Sequence, residues 1–342
     1  MLKPLEGFRS LETHHCVTGS MRHIYEFHDH FISEDLLLGL GSGVGFVYWH
    51  MKGMDPLLGG RANVGRPGEE GLEKTAGRRT GVVVETSYTG SARKAEKALL
   101  DMMAADEPMM LMLDMGFLPY FDLPEEFHFG GHAVVIAGYD AETKHVLIAD
   151  RDKQLHPVSL EDVAKARGSK FKPFPPRNQW FTFDFSGKRL PKPEEILQAI
   201  REVTDGMLEP PISNLGVKGI RKAATRTLKW PDIMDKERLR WCCFNIFIFI
   251  DAAGGTGGGI FRYMYGRFLK EAADITGDAR LAAAGEDMRG IGDRWQEVAQ
   301  IFKAASEAAD PVSMLSQAAA RMKPIADQEH AAWESLRDIV GR

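Results

Sequence analysis

The sequence predicts an α+β domain followed by an all-α lobe, and two observations carry this prediction. Between residues 81 and 185, short apolar runs of strand character alternate with turn residues and amphipathic helices. From residue 235 to residue 340, almost the whole chain is rich in alanine and has helical periodicity. After Gly187 the sequence pattern changes from alternating strands and helices to helices. We therefore predict one domain over residues 1–186 and a second over residues 187–342.

The first domain is predicted element by element from its periodicity. Residues 16–31 have apolar side chains at helical spacing, and Ser33 caps a second helix that runs into a glycine-rich turn. Runs with strand character are VGFVYWHM (44–51), GVVVETSY (81–88), MMLMLDM (109–115), HAVVIAGYD (132–140), HVLIAD (145–150) and QWFTFDF (179–185). Further helices are SARKAEKALLDMMAAD (91–106) and SLEDVAKAR (159–167). In the second domain, KPEEILQAIREVTDGML is helical and the proline-rich LEPPISN (208–214) is a linker or turn.

Composition and charge argue against several classes of protein. The 342 residues suffice for two domains, and 44% hydrophobic with 27% charged residues is typical of a globular protein. A net charge of -5 offers no overall basic surface to phosphates, so a general nucleic-acid-binding protein is not expected. The longest apolar stretches, residues 36–49 and 242–250, are too short to span a bilayer. We therefore expect no nucleic-acid partner and no membrane association.

Cysteine usage indicates the compartment. The chain has three cysteines, Cys16, Cys242 and Cys243, and an odd number with two adjacent residues does not make a disulfide framework. The N-terminal residues contain no apolar segment of a secretory signal. These features predict a reducing compartment, the cytoplasm.

Cys16 stands in ETHHCVTGS, just after two histidines and at the predicted start of the first helix. A thiol becomes a useful nucleophile when its pKa falls from about 8.5 to about 3.5–7.5, and a helix N-terminus or an imidazolium can lower it. Such a nucleophile also needs a histidine that is held by a carboxylate or an amide. Cys16 is therefore a candidate catalytic nucleophile.

His132 and Asp150 are the candidates for this histidine and its carboxylate. His132 opens the strand HAVVIAGYD after two glycines, and the next strand, HVLIAD, ends in Asp150. In an antiparallel hairpin, the end of the second strand lies beside the start of the first. The two side chains are therefore expected to be neighbours, and with Cys16 they form a Cys–His–Asp triad in papain-like order.

Two other interpretations of Cys16 stay open on these residues. A lone cysteine is often a small hydrophobic residue of a core. A zinc site could use His14, His15, Cys16 and His23, but adjacent ligands point in divergent directions, and no C-x-x-C or H-E-x-x-H spacing is present. We therefore predict no metal ligands, and we expect no cofactor.

Two glycine-rich segments are similar to nucleotide-binding loops without matching them. GLGSGVG (39–45) fits no G-x-G-x-x-G register and follows a helix rather than a strand. AAGGTGGG (252–259) lacks the Lys-Ser/Thr of a P-loop. We expect a close-packed turn at the first segment and a glycine hinge between two helices at the second.

Taken together, the motifs resemble a known family. HHC, SEDLLLGLGSGVGF, LDMGFLPY (113–120), GGHAVVIAGYD and VLIAD are similar to the N-terminal domain of the butirosin biosynthesis protein H family. GGTGGGIFRYMYGRFLKEAA is similar to the helical domain of unknown function that often follows it. The resemblance implies a papain-like fold related to the peptidase domains of bacteriocin exporters. It also implies acyl transfer from an acyl-carrier-protein thioester to the amine of an aminoglycoside.

Carried across by motif, the resemblance makes Cys16 the nucleophile, His132 the base and Asp150 the residue that orients the base. Papain-like peptidases usually have a glutamine shortly before the cysteine, and FRSLETHH (8–15) has none, so the oxyanion must be held by other donors. The predicted substrate-binding residues are Ser33, Glu34, Asp114 and Tyr120. Asp114 would bind a cationic amine and Tyr120 would orient it, unless both are simply turn residues at a strand end.

Thioester chemistry separates a transferase from a peptidase. Moving an acyl group from a carrier thiol to Cys16 exchanges one thioester for another, and attack by an amine then needs a base and the exclusion of water. A helical lobe that caps the thiol suits these needs. We predict a cytoplasmic cysteine-dependent acyltransferase of secondary metabolism, with an acyl carrier protein as donor and a small amine as acceptor. The alternatives are a cysteine peptidase or amidase with the same triad, and a catalytically silent binding module.

Carrier proteins are acidic, so a basic docking surface is expected on the enzyme. The two basic clusters of this acidic chain are AKARGSKFKPFPPR (164–177) and GVKGIRKAATRTLK (216–229). Each is either a docking surface or an ordinary solvated surface.

Overall fold

The computed structural model describes residues 2–51, 54–65, 69–124 and 126–341 of the chain. The α-helices are α1 (Cys16–Phe27), α2 (Glu34–Leu40), α3 (Leu72–Arg79), α4 (Ala92–Ala104), α5 (Leu160–Gly168), α6 (Pro193–Leu208), α7 (Gly216–Thr227), α8 (Lys236–Ile250), α9 (Arg262–Thr276), α10 (Ala279–Glu307) and α11 (Val312–Val340). The strands are β1 (Val44–Trp49), β2 (Leu57–Arg61), β3 (Val83–Ser87), β4 (Met109–Leu113), β5 (His132–Asp140), β6 (His145–Ala149), β7 (Leu155–Ser159) and β8 (Trp180–Asp184). A mixed α/β region followed by a helical C-terminal region is thereby confirmed.

Every element predicted in the first domain is present, and α3, β2 and β7 are additional to the prediction. The strand β2 contains the pair Gly59–Gly60, and β7 contains Pro157. Glycine weakens a strand pattern and proline is confined to edge strands, so neither segment has a clear signal in the sequence. β7 is indeed the last strand of its sheet.

The chain packs as two compact units. Unit 1 consists of Met1–Leu37 and Thr80–Leu190, and unit 2 consists of Leu38–Arg79 and Pro191–Arg342. The division after Leu190 lies close to the predicted boundary, but residues 38–79 pack with unit 2 rather than with the first domain as expected. The reason is that β1 pairs with β2 alone and packs against α6 and α7 of the helical region.

Unit 1 is built on a six-stranded antiparallel sheet with the strand order β3-β8-β4-β5-β6-β7. Alternate residues of β4, β5 and β6, such as Leu111, Val134 and Ile148, form a buried core with α4 and α5. The helix α1 also packs against β5. Apolar side chains on both faces of β5 are therefore buried, which explains its nearly continuous apolar sequence.

The hairpin of β5 and β6 brings the end of β6 next to the start of β5, where two of the candidate site residues lie. Val135 pairs with Ala149 in the antiparallel register, so the residue after β6 lies beside the first residues of β5. These residues are Asp150 and His132, as predicted from the lengths of the two runs. On the other side, β4 pairs Leu113 with His132, so the loop after β4 begins at the same edge.

Unit 2 contains a buried ion pair within its helices. Arg262 Nε lies 2.8 Å from Glu329 Oε1, and Arg262 Nη2 lies 2.9 Å from Oε2, with both side chains inaccessible to solvent. The indole N–H groups of Trp295 and Trp333 each donate to Glu329 at 2.8 Å. The carboxylate is thus satisfied by four donors, as a buried charge requires.

The glycine-rich segments take the positions expected of turns. Residues 39–45 connect α2 to β1, and a Cβ at Gly39 would lie 2.2 Å from the Phe268 ring, so this close packing requires glycine. Residues 252–259 connect α8 to α9, with positive φ at Gly255, Gly257, Gly258 and Gly259. In the part of the chain that the structure describes, no helix has the length and apolar character needed to cross a bilayer.

Candidate active site

Cys16 is the first residue of α1 and is half-buried. His15 caps the helix, because its Nδ1 accepts from the Thr18 N–H and lies 3.0 Å from Thr18 Oγ1. The N–H groups of a first helical turn have no partners within the helix, and the helix dipole is positive at this end. The thiol therefore stands where a negative charge is favoured, as the sequence predicted.

Glu34 holds the segment that leads to Cys16. Its carboxylate accepts from the His14 N–H at 2.9 Å and from the His15 N–H at 2.6 Å, and Thr18 Oγ1 donates to it at 3.3 Å. Burial raises the pKa of Glu34 to about 7, although the bonds from His15 and His14 oppose this rise. The side chain is 4% exposed. Its predicted role in binding substrate stays a prediction, and the observed contacts position the nucleophile.

Ser33 acts at the start of α2, where its Oγ accepts from the Leu36 N–H at 3.0 Å. This is an N-terminal capping bond, which the sequence also predicted. Its predicted contact with substrate stays a prediction.

His132 and Asp150 are in direct contact. His132 Nε2 lies 2.7 Å from Asp150 Oδ2, and both residues are buried. Because Nε2 is taken by the carboxylate, Nδ1 is the ring nitrogen left to interact with the Cys16 thiol, and each of these two groups shifts the pKa of the other. The three predicted side chains are therefore brought together, and their catalytic roles stay predictions at this point.

The pKa values of the three groups shift in directions that support one another. Burial alone would raise the pKa of Cys16, but the hydrogen bond and charge of His132, with smaller effects of the Ala133 N–H and Arg151, lower it overall. Burial alone would lower the pKa of His132, but the charge and hydrogen bond of Asp150, together with Cys16, raise it to about 9. The arrangement favours a thiolate beside an imidazolium.

Asp150 completes the pair as an anion. Burial would raise its pKa, but the charge and hydrogen bond of His132, followed by Arg151 and Tyr120, lower the pKa overall. Its Oδ1 is buried and accepts no hydrogen bond from the described residues, and the Arg151 Nε lies 3.9 Å away. The carboxylate is thus available to hold the imidazole as the charge on the ring changes.

Tyr120 and Phe121 form a wall of the site. The Tyr120 hydroxyl donates to Asp150 Oδ2 at 2.9 Å, and its ring stacks on His156 with centroids 4.1 Å apart. The Phe121 ring meets His132 edge-on with centroids 5.5 Å apart. The hydroxyl of Tyr120 is therefore engaged with the carboxylate, and its predicted role in orienting an amine stays a prediction. Phe121 was not predicted, although it directly follows the motif LDMGFLPY.

Asp114 lies at the end of β4 and is inaccessible to solvent. Its carboxylate accepts from the N–H groups of Gly116 and Phe129, from Ser169 Oγ at 2.5 Å, and contacts His128 Nδ1 at 3.0 Å. These contacts fix the loop that carries Tyr120. The role of Asp114 as a binding site for a cationic amine stays a prediction, and the geometry favours the alternative in which it organises a turn.

The residues of the alternative zinc site have separate surroundings. His14 is exposed, whereas His15 bonds Thr18 within its own helix turn. His23 Nε2 accepts from the Leu11 N–H at 2.9 Å, and burial lowers its pKa to about 4. Among the described residues, no group of three or more His, Cys, Asp or Glu side chains is placed to hold a metal ion.

Cys242 and Cys243 lie in α8 and are fully buried. Burial raises the pKa of Cys242, and burial raises the pKa of Cys243 to about 12. Both are in the protonated form at neutral pH, whereas the pKa of Cys16 is lowered from its ordinary value.

A thiol at a helix N-terminus, next to an imidazole that a buried carboxylate holds, defines a candidate cysteine-dependent catalytic site. Residues 15–151 match the family model described as Butirosin biosynthesis protein H, N-terminal. Residues 161–336 match the one described as Domain of unknown function (DUF4872). The chain therefore contains the N-terminal domain of the butirosin biosynthesis protein H family followed by this domain of unknown function, as its motifs predicted. No curated protein matches the chain.

Proposed function

We propose that the protein is a cysteine-dependent N-acyltransferase, which moves an acyl group from a carrier-protein thioester through acyl-Cys16 to an amine. The observation that carries this proposal is the contact of His132 with Asp150, beside a Cys16 at the helix N-terminus whose pKa His132 lowers. The family is described by the biosynthesis of butirosin, which supports a role in making a natural product. We further propose that unit 1 is related to the papain-like fold, and that the enzyme works in the reducing cytoplasm.

The first step is acylation of the enzyme. The Cys16 thiolate attacks the carbonyl carbon of the donor thioester, so a new carbon–sulfur bond forms and the bond to the carrier sulfur breaks. The His132 imidazolium gives its proton to the departing carrier thiolate, which leaves as a thiol. Asp150 holds the ring in place and compensates its charge while it is protonated.

The second step is transfer to the amine. Once Cys16 is acylated, its thiolate no longer raises the pKa of His132, so the imidazole is more readily neutral. The neutral ring takes a proton from the attacking amine, the amide bond forms, and Cys16 leaves as a thiolate. The enzyme thereby returns to its starting thiolate–imidazolium state, with all protons accounted for.

The oxyanion of each step needs N–H donors. The N–H groups of His14 and His15 are bound by Glu34, so they are occupied. The N–H of Cys16 is the first of α1, and such groups have no partner within a helix. We propose this N–H as an oxyanion donor.

Acyl transfer from a panel of acylated carrier proteins tests the proposal. The wild-type protein is mixed with each carrier, and its intact mass is recorded before and after amines are added. We expect a mass gain equal to the acyl group, lost upon addition of the acceptor amine as the amide appears. The Cys16→Ala variant is the control and should gain no acyl group.

Three outcomes separate the proposal from its alternatives. Release of free acid faster than amide for every amine, with cleavage of ordinary peptides, would make the protein a peptidase or amidase. A Cys16 that no donor acylates would leave a binding module without turnover. Acylation that persists in Cys16→Ala would place the nucleophile elsewhere.

A further inference from the structure

The helix α7 in unit 2 carries a row of cations. We call this row the basic face; it consists of Lys218, Arg221, Lys222, Arg226 and, just after the helix, Lys229. Between Pro210 and Pro231 the chain has no aspartate or glutamate, although the whole protein has a net charge of -5. The positive charge is therefore concentrated on one short segment of an acidic chain.

Helix geometry places these cations together on the exposed side. Lys218, Lys222, Arg226 and Lys229 are three or four residues apart, which is the spacing of side chains on one face of a helix, and Arg221 follows Lys218 at the same spacing. The opposite side contains buried Val217, Ile220 and Ala224, and α7 packs there against β1 and α11. At about 1.5 Å per residue, the basic face is about 16 Å long.

Neighbouring acids neutralise little of this charge. Arg221 pairs with Asp327 at 2.9 Å, and both side chains are at least half exposed. Lys222 donates to Ser213 Oγ and Asn214 Oδ1, which are uncharged oxygens. Among the described residues, no carboxylate pairs with Lys218, Arg226 or Lys229.

Helix stability explains only part of the arrangement, because the helix dipole favours Arg226 in the last turn of α7 but does not favour Lys218. Lys218 is in the first turn of α7, where the helix dipole is positive and a cation is unfavourable, and the first turn has no acid. A helix surface shaped by stability would place acids at this end and cations at the other. The charge at Lys218 therefore has a cost that binding of an acidic partner would offset.

We propose that the basic face of α7 is the docking surface for the acidic acyl carrier protein, an inference that rests on the proposed function. Of the two basic clusters predicted from the sequence, α7 is the better candidate. In the other cluster, Lys165 pairs with Glu161 and Asp162, and Arg167 is buried with a bond to the Ala95 carbonyl. Two of its five cations thus serve contacts within the protein, whereas Lys170, Lys172 and Arg177 are exposed on irregular chain after α5 and are not aligned on one helix face.

The chemistry of the basic face favours a protein partner over a lipid surface or a nucleic acid. A helix that lies on a membrane presents a row of large apolar side chains, whereas the described residues of α7 include no large exposed apolar side chain, and Leu228 directly follows the helix. Nucleic-acid binding would require a basic balance that the chain lacks. Electrostatic complementarity with an acidic protein mainly accelerates encounter.

The test compares two donors that carry the same acyl group. One donor is the carrier protein that acylates Cys16 fastest in the panel above, and the other is the acyl thioester of N-acetylcysteamine. For Lys218→Glu/Arg226→Glu, we expect kcat/KM with the carrier to fall about 10- to 100-fold at low salt. With the small thioester it should stay within about twofold. Added salt should slow the wild type with the carrier but hardly affect the variant.

The control is Arg93→Glu/Lys94→Glu, which makes the same change in charge on the exposed side of α4 in unit 1. In this control variant, kcat/KM should equal that of the wild type with both donors. Unchanged carrier kinetics in the α7 variant would overturn the inference, and so would an equal loss with both donors or with both variants.

Two further outcomes identify other failures. A wild type that no carrier acylates would overturn the proposed function and this inference with it, whereas an active wild type with an unaffected α7 variant would overturn this inference alone. Sedimentation with phosphatidylserine vesicles that the α7 variant loses, while its carrier kinetics are normal, would assign the basic face to a lipid surface instead.

Discussion

Two histidines of unit 1 each contact a buried aspartate near the same edge of the sheet. His128 Nδ1 lies 3.0 Å from Asp114 Oδ2, and His132 Nε2 lies 2.7 Å from Asp150 Oδ2. Asp114 also accepts two backbone N–H bonds and the Ser169 hydroxyl. Within the described residues, Asp150 accepts one further hydrogen bond, from Tyr120, and its Oδ1 accepts none.

The difference shows what separates a structural pair from a candidate catalytic pair. A carboxylate whose oxygens are filled by loop donors fixes the loop, and its histidine is one of several ligands. A carboxylate with few donors directs its charge to one imidazole, which in turn contacts the thiol of Cys16. The number of other partners, more than the His–Asp distance, therefore favours His132 and Asp150 as the pair for proton transfer in the proposed reaction.

Substitution of the two aspartates by asparagine gives the largest expected contrast. Asp150→Asn should lower kcat by about 10³- to 10⁴-fold, because an amide cannot compensate the imidazolium or maintain its tautomer. Asp114→Asn should cost about 1–3 kcal/mol in the free energy of unfolding, because buried donors lose an acceptor. Its turnover per folded molecule should remain within about tenfold of the wild type. Amide formation and urea unfolding measure the two effects.

This comparison fails if the two variants exchange their effects. A folded Asp150→Asn protein with a normal rate would show that another residue orients the base. A folded Asp114→Asn protein with normal stability and a large loss of rate would place Asp114 in the chemistry, as a site for the amine.

The three thiols give the next contrast. At neutral pH, Cys16 should react with iodoacetamide about 10³-fold faster than Cys242 or Cys243, because the thiolate is the nucleophile. The pKa of Cys16 is lowered by His132 against the effect of burial, whereas burial raises the pKa of Cys243 to about 12. Mapping of the adducts by mass spectrometry checks this. Faster labelling of either α8 cysteine would remove Cys16 as the nucleophile.

The sequence predicted the parts of the site that depend on local pattern. Helical periodicity placed Cys16 at a helix start, and the lengths of two neighbouring strands placed Asp150 beside His132. These relations follow from spacing along one hairpin or one helix, so a single sequence contains them. The packing of residues 38–79 with unit 2 could not be predicted in this way. The helices against which β1 packs, α6 and α7, lie about 150 residues later in the chain.

Polar contacts between distant segments were also beyond the sequence. Glu34 is found bound to the N–H groups of His14 and His15, and Asp114 is found bound to Ser169. The sequence predicts both as substrate-binding residues. Only the tertiary structure shows which buried N–H and O–H groups a carboxylate satisfies.

Glu34 allows a test of how the nucleophile segment is held. Its pKa is about 7 in the folded protein against an ordinary value of 4.5, so the folded state binds its proton more tightly. The contribution of Glu34 to the free energy of unfolding is therefore greatest when the pH is below its ordinary pKa of 4.5. This contribution decreases by on the order of 3 kcal/mol as the pH rises from 4.5 to about 7. Glu34→Gln should remove this decrease from the curve of unfolding free energy against pH.

The matched control for this titration is Glu26→Gln, which removes a partly exposed carboxylate that pairs with Arg22 on α1. Other groups, including His132 and Asp150, contribute equally to both variants, so the difference between the curves isolates Glu34. Identical slopes for Glu34→Gln and the wild type would mean that Glu34 does not titrate in this range.

The smallest expected effect concerns the hydroxyl of Tyr120. It donates to Asp150 Oδ2, the same oxygen that binds His132, and so shares the charge of the carboxylate. In Tyr120→Phe that charge acts on the imidazole alone, so the pKa of His132 should rise. Transfer to the amine needs neutral imidazole, and its pH profile should move to higher pH, with about a tenfold lower rate at pH 7.

Single-turnover transfer from acyl-Cys16 measures this profile without interference from the donor step. Tyr139→Phe is the matched control, since Tyr139 packs at the margin of the core with the same loss of a hydroxyl. Its profile should coincide with that of the wild type. A shift of the Tyr120→Phe profile to lower pH would mean that the hydroxyl strengthens the hold of Asp150 on the imidazolium instead of sharing it. An unshifted profile with a lower rate at every pH would mean that Tyr120 acts on the amine, as the sequence first suggested. The direction in which the pH profile of transfer shifts therefore decides whether Tyr120, in the loop after β4, acts on the His132 base or on the acceptor amine.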